Sequence, residues 1–323
     1  MDTASFVLKC LREAPRPVSG QIMADRAGVS RAAVGKAVER LRRDGFAVDG
    51  IPNEGYRLTA ASPDLSVAGI ESALAERWRT TEVIVLDEVR STNDVMKARW
   101  TSHDRPCLIV AETQTAGRGR RGRTFFSPHG TGLYMSLGVR WDHDVPPTLV
   151  TTMAAVAGCS ALERSSPNAP DVGIKWVNDL YVGRRKVGGI LTEALTTLET
   201  RDIDAVVIGI GLNVNAPKGG FPDALRDIAG ALYGPDVTID RNRLAADIVN
   251  ALGDIFDRLP SRDYLDAYRE RCFVLGRRVT LDSGETVIPE SISDDGALCY
   301  RRGGVPVEVT SGEVRIADWE DRP

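Results

Sequence analysis

The chain has 323 residues, 42% of them hydrophobic and 27% charged, and a formal net charge of −4, which suits a globular protein of two or three domains. No apolar run reaches membrane-spanning length and the N-terminus lacks the pattern of a signal peptide, so the expectation is a cytoplasmic protein with no membrane partner. Five widely spaced cysteines without a C-x-x-C, and only His103, His129 and His143 for imidazole, point away from zinc, a disulfide framework and a histidine-based triad.

The charge is uneven. Residues 1–62 hold ten Lys/Arg against seven Asp/Glu, and the remainder 31 against 38. A basic head on an acidic body means that only the head suits a polyanion. Three helical patterns follow one another there. Phe6, Val7, Leu8 and Leu11 mark the first; Ser19 caps a second with Ile22, Met23 and Ala27, ending at Gly28; Ser30 caps a third that ends at Asp44-Gly45. Val34, Val38 and Leu41 give the third helix its buried face. Ser30, Arg31 and the small Ala32 then open an outward face with Lys36, Arg40 and Arg43, suited to a groove floor and its phosphates. FAVDGIPNEGYRLT reads as a hairpin wing. Residues 1–62 are thus expected to form a winged helix-turn-helix that binds DNA, the alternative being a small bundle with solvated cations. ASPDLS (61–66) reads as a polar linker.

In the body, strands are expected at 81–89, 106–112, 132–140, 173–175, 179–183, 186–194 and 204–214. Helices are expected at 91–100, 147–164, 241–256 and 261–272. Ser91-x-x-Asp94 has the spacing of a capping box. Strands outnumber helices and cluster in hairpins, so the class is α+β, a central mixed sheet layered on helices. Residues 274–323 alternate between turns and read as a small β-barrel.

AETQTAGRGRRGRTFFSP (111–128) sets Arg118, Arg120, Arg121 and Arg123 among Gly117, Gly119 and Gly122. A nucleic-acid patch, a solvated loop and a dinucleotide fingerprint all compete for it. The fingerprint needs a helix after its glycines, and Pro128 with two more glycines denies one. Four crowded guanidiniums repel one another, so the expectation is a loop that orders only on a phosphorylated ligand, with Phe125 and Phe126 stacking or closing a pocket. Lys175 and Asp179 flank Trp176, and Lys186 enters apolar Val-Gly-Gly-Ile-Leu, where its charge acts strongly on an anion. Gly209 and Gly211 share a strand face and leave room for a ligand against the backbone.

Taken together, ETQTAGRGRRGR, KWVNDLY, KVGGIL, STN at 91–93 and GIGLNVN resemble the biotin–protein ligases. With the winged helix in front, the chain resembles the bifunctional biotin operon repressor/biotin–protein ligase family over its whole length. The resemblance implies a class II synthetase-like catalytic domain (67–272) and an SH3-like C-terminal domain (273–323). It implies that biotin and ATP give biotinyl-5′-AMP, and that biotin passes to a lysine of the biotin carboxyl carrier protein of acetyl-CoA carboxylase. Lys186, Arg118, Arg120 and Asp179 would be catalytic, with Asp179 steering or deprotonating the incoming lysine. Ser91, Thr92, Asn93, Gln114, Gly117, Gly119, Phe125, Lys175, Gly189 and Asn213 would complete the biotin and adenylate site. Mg²⁺ is expected with ATP, its ligands unassigned beyond Asn213. The partners implied are operator DNA and a second copy of the chain, paired when ligand is bound. A biotin sensor without ligase activity, or a lipoate-type acyl ligase, are the alternatives. Phe125 stands where members often carry Trp, and Val177 where Pro is common.

Overall fold

The computed structural model describes residues 1–100, 105–166, 168–196, 203–317 and 319; His103 lies outside them. The head contains α1 (Thr3–Glu13), α2 (Gly20–Ala27), α3 (Arg31–Arg43), β1 (Ala47–Ile51) and β2 (Gly55–Ala60). Its helices start where capping chemistry starts them. Asp2 accepts the Ser5 amide at 2.9 Å, Ser19 that of Gln21 at 3.2 Å and Ser30 that of Ala33 at 3.1 Å. Gly28 ends α2 in the left-handed conformation, at φ 66°. Val34, Val38 and Leu41 are buried against Val7, Leu8 and Met23. Ile22, expected inside, is 53% exposed: the crossing of three short helices buries Met23 and Ala24 and leaves the next position outside. β1 and β2 pair antiparallel as the expected wing.

The next elements are α4 (Val67–Glu71), β3 (Glu82–Val89), α5 (Thr92–Trp100), β4 (Cys107–Gln114), β5 (Gly132–Arg140), α6 (Val150–Ser165), β6 (Gly173–Lys175), β7 (Asp179–Val182), β8 (Arg185–Thr196), β9 (Ile203–Asn213), α7 (Arg241–Phe256) and α8 (Tyr264–Arg271). One seven-stranded sheet runs β3-β4-β5-β9-β8-β7-β6, with β3 and β4 parallel and every other pair antiparallel. Strand alternation sorts β4 between two cores. Leu108 and Val110 join the large core with α6 and α7, while Cys107 and Ile109 face Met96 and Trp100 of α5. Gly138 leaves room for that helix, since a Cβ there would lie 2.7 Å from Met96 Sδ.

β10 (Val279–Leu281), β11 (Thr286–Val287), β12 (Ser291–Ile292), β13 (Leu298–Arg302), β14 (Val305–Val309) and β15 (Val314–Ile316) form two small antiparallel sheets, β11-β10-β15 and β12-β13-β14. They are bonded to the body: Trp176 donates its indole N–H to Gly296 O at 3.0 Å. The fold class is the expected one, α+β with a helix-turn-helix in front and small antiparallel sheets behind. The head is not loosely strung to the body. Ala68 of α4 belongs to the head's own core, and Ser5 Oγ donates to Glu71 at 2.7 Å.

Asp2 caps α1 and also accepts from Arg40 at 2.5 Å. Burial works to raise its pKa, but the Ser5 hydrogen bonds and Arg40 outweigh it and hold the carboxyl below its ordinary value. Replacing Asp2 with Ala is expected to cost the head about 1 kcal/mol, measured as a shift in urea midpoint; an unchanged midpoint would contradict the capping role.

Candidate functional site

A pocket opens over β5, β8 and β9, between the start of α5 and the 118–125 loop. Its walls include Ser91, Thr92, Asn93, Gln114, Arg118, Gly119, Arg120, Phe125, Asp179, Lys186 and Gly189, so eleven of the fourteen residues expected at the biotin and adenylate site converge in space. Three others do not line it. Gly117 lies beneath the loop, where a Cβ would meet Phe125 O at 2.6 Å. Lys175 stands behind Asp179, and Asn213 donates its amide to Gly230 O at 2.9 Å.

The α5 end is a hydrogen-bond network. Gln114 Oε1 accepts the Thr92 amide at 2.9 Å and the Thr92 hydroxyl at 3.2 Å. Ser136 Oγ contacts Thr92 Oγ1 at 2.7 Å and Asn93 Oδ1 at 2.6 Å. Asn93 donates to Glu193 at 2.8 Å. Gln114, a residue on β4, thus meets the first amide of the helix. Asp94, read from spacing as half of a capping box, instead places its carboxylate 3.0 Å from Arg118 Nε and 3.3 Å from Lys97.

The same-face glycines of β9 make room mainly for the protein's own side chains. A Cβ on Gly209 would lie 2.1 Å from Asn93 Oδ1, and one on Gly211 would lie 2.8 Å from the Phe125 ring. Both neighbours line the pocket, and so do the two glycines themselves. Phe125 is backed edge-on by Tyr134, 6.4 Å between centroids. Burial pushes the Tyr134 hydroxyl up to about 12, and it donates to Pro128 O at 3.0 Å.

The arginine loop finds partners that its sequence does not announce. It closes as a tight hairpin: Phe125 N–H donates to Gly117 O at 2.8 Å and Gly119 N–H to Arg123 O at 2.7 Å. The repulsion between guanidiniums is answered within the chain. Arg118 meets Asp94, Arg121 meets Asp282 at 2.6 Å, and Arg123 meets Glu313 at 2.6 Å. Arg120 donates to Asn178 Oδ1 at 3.2 Å and Gly312 O at 3.1 Å. The hydrogen bond from Arg121 holds the Asp282 carboxyl below its usual range. Asp282 and Glu313 were not singled out from sequence, because they arrive from the C-terminal segment and nothing local marks them; Asn178 lies within KWVNDLY but was given no role of its own.

The cationic end is built on a hairpin. Lys186 Nζ donates to Asp179 Oδ1 at 2.6 Å, and Lys175 Nζ lies 3.3 Å from Asp179 Oδ2. Both oxygens of that carboxylate therefore face ammonium groups. The preceding turn is braced by Asn178, which donates to Ile190 O at 2.9 Å, and by Tyr268, whose hydroxyl donates to Val177 O at 3.0 Å. Among the described residues, no three His, Cys, Asp or Glu side chains gather as a metal site.

On the head, Ser30, Arg31, Ala32, Lys36 and Arg43 are exposed on α3. Arg40 is half-buried and turned to Asp2, so it serves the head's structure as well as its surface.

An HTH domain profile matches residues 3–57, and that of the Biotin/lipoate A/B protein ligase family matches residues 85–213. The Bifunctional ligase/repressor BirA of Salmonella typhimurium is 33% identical over 309 residues, 94% of each chain. The chain belongs to the bifunctional biotin ligase/repressor family. A Bacillus spizizenii protein of the same description is 38% identical over 67% of this chain and 66% of its own length. The biotin protein ligase of Aquifex aeolicus, solved with biotin and ATP, superposes with a TM-score of 0.60 at 25% identity, over 72% of this chain and 97% of its own. The two matched segments cover nearly all of the winged head and of the strands of the seven-stranded sheet.

Gly209→Ala is expected to push Asn93 from Ser136 and Glu193, costing about 1–3 kcal/mol of stability, read from urea unfolding. A neutral substitution would show that Asn93 has room the structure does not reveal.

Proposed function

We propose that this chain activates biotin with ATP, passes it to a carrier lysine, and represses biotin-synthesis genes through its basic head. In the first step a biotin carboxylate oxygen attacks the α-phosphorus and pyrophosphate leaves, giving biotinyl-5′-adenylate. In the second, the ε-amine of a lysine on the biotin carboxyl carrier domain attacks the acyl carbon, and AMP leaves with the electron pair of the broken C–O bond. The observation that carries this reading is the meeting of Lys186, Arg118 and Arg120 in one pocket with a hydrogen-bonding floor.

Bringing a carboxylate to a triphosphate sets anion against anion, and fixed cations in a shielded site lower that barrier. Lys186 sits at the carboxylate and α-phosphate; Arg118 and Arg120 hold phosphates, Arg118 exchanging Asp94 for the ligand. When Lys186 turns to the ligand, Asp179 Oδ1 is released to receive the carrier amine. Biotin's rings lie between Gly189 and Phe125, with the ureido group toward Ser91, Thr92, Asn93 and Gln114. Lys175 acts on Asp179 rather than on ligand, and Gly117 and Asn213 shape loops. The donor set does not fit a protein-held cation, since Asp179 faces two lysines and Glu313 an arginine. Magnesium accordingly enters as the counter-ion of ATP.

Residues 1–62 form the DNA-binding unit, 67–272 the ligase and 273–323 the C-terminal unit. Ligand-promoted pairing of two chains gives the two heads that a two-fold operator needs. No helix among the described residues is long and apolar enough to cross a membrane, and the demand for ATP suits the cytoplasm.

Incubation with biotin, ATP and a carrier domain, followed by mass spectrometry, is expected to show one biotinylated carrier lysine; an unmodified carrier would end the ligase reading. Lys186→Ala is expected to lower pyrophosphate release at least about 100-fold with an unchanged unfolding midpoint. Normal release would remove Lys186 from its role. Lys36→Glu is expected to weaken binding to biotin-synthesis promoter DNA by about tenfold or more and leave ligation within about twofold. If both activities fell together, the division of labour between head and body would be wrong.

A further inference from the structure

Three consecutive residues at the start of α7 hold the head to the body. Asp240, the cap of that helix, lies 2.9 Å from Arg12 of α1. Arg241 donates from Nε and Nη2 to Pro63 O, at 3.2 and 2.7 Å. Asn242 donates to Asp64 O and accepts the Ser66 amide, both at 2.8 Å. Arg241 also forks onto Glu112 at 2.8 and 3.2 Å and donates to Gly132 O at 2.9 Å. The Glu112 carboxylate then accepts the Leu65 amide at 2.8 Å. The second half of the segment read from sequence as a polar linker, Pro63 to Ser66, is therefore bonded to the body at every residue.

The central pair is among the most buried charges described, with Arg241 3% and Glu112 7% exposed. Such a pair adds little stability by itself, because desolvation offsets attraction and an apolar pair of similar volume fills a core as well. What distinguishes it is the company it keeps. Glu112 stands two residues before Gln114 on β4, and Gln114 Oε1 holds both polar atoms of Thr92 at the pocket. Gly132 opens β5, whose Ser136 meets Thr92 and Asn93. One buried ion pair thus touches the linker on one side and, on the other, β4 and β5, the strands that carry Gln114 and Ser136, and it takes no part in the reaction described above.

We propose that Glu112 and Arg241 are positioning residues that tie the pose of the DNA-binding head to the occupancy of the ligand pocket. A ligand that draws on Gln114, Thr92 or the arginine loop moves the end of β4. Two residues of paired strand carry that movement to Glu112, and the Leu65 amide and Pro63 carbonyl leave the linker no slack to absorb it. This inference rests on the biotin and ATP reading of the pocket and adds a route by which the pocket reaches the head.

The test uses the full chain with Glu112 and Arg241 both changed to Met, which removes the two charges together and leaves neither buried alone. Hydrogen exchange is followed in peptides covering residues 56–66, with and without biotin plus ATP, beside pyrophosphate release. In the unaltered protein, biotin plus ATP is expected to slow linker exchange by about fivefold or more. In the double variant, linker exchange is expected to be about tenfold faster, with no response to biotin plus ATP and pyrophosphate release within about twofold of normal. Asn242→Ala removes linker bonds without touching the ion pair; its linker is expected to exchange faster and still respond. A double variant with the normal response would overturn the joint. So would an unaltered protein that releases pyrophosphate while its linker exchange stays constant, an outcome independent of whether the double variant folds. No pyrophosphate release from the unaltered protein would instead fault the ligase reading, while the ligand-free exchange difference still reports on the clamp.

Discussion

Four guanidiniums within six residues do not share a small volume unless negative charge lies among them. The structure meets that constraint by reaching across the chain: Asp94 comes from α5, Asp282 and Glu313 from the C-terminal sheets, and Asn178 from the β6–β7 turn. Each of the three ion pairs is partly exposed and weak alone, and Arg120 is held by the neutral oxygens of Asn178 and Gly312. Together they shape a loop that presents cations to a pocket. Three of its four arginines already hold carboxylates, so under the function proposed above a triphosphate binds by exchange of anions.

The same pairs show what a sequence carries and what it leaves out. The arginines, Lys186, Asp179 and Ser91-Thr92-Asn93 are legible because each stretch is short and its chemistry is unusual for its local pattern. Their carboxylate partners are ordinary surface acids until folding brings them near. The glycines of β9 announce a close approach, and only the fold shows that Asn93 and Phe125 are what approaches. In the head, period marks all three helices and caps mark the second and third, since Ser19 and Ser30 sit where an amide needs an acceptor; the first, read as starting near Ser5, starts at Thr3 under the cap of Asp2. The period gives the centre of a buried stripe but not its edge, which is why Ile22 lies outside.

Residues 61–66 make the contrast sharper. Composition alone describes a polar, proline-containing connector. Its partners, Glu112, Arg241 and Asn242, lie inside a strand and a helix whose local patterns are explained by core packing. A charged residue inside a buried strand, and another at the first position of a buried helix, were the signal available, and each is uninformative until paired with the other.

The C-terminal sheets also bear on the question of how small this enzyme can be made. Gly296 receives the Trp176 indole, Gly312 receives Arg120, and Asp282 and Glu313 receive Arg121 and Arg123. The last fifty or so residues therefore act as a keystone: cutting the chain after α8 would strip acceptors from the β6–β7 turn and the arginine loop at once. Shortening the protein from the rear thus removes the partners of three loop arginines and of the Trp176 indole in a single cut.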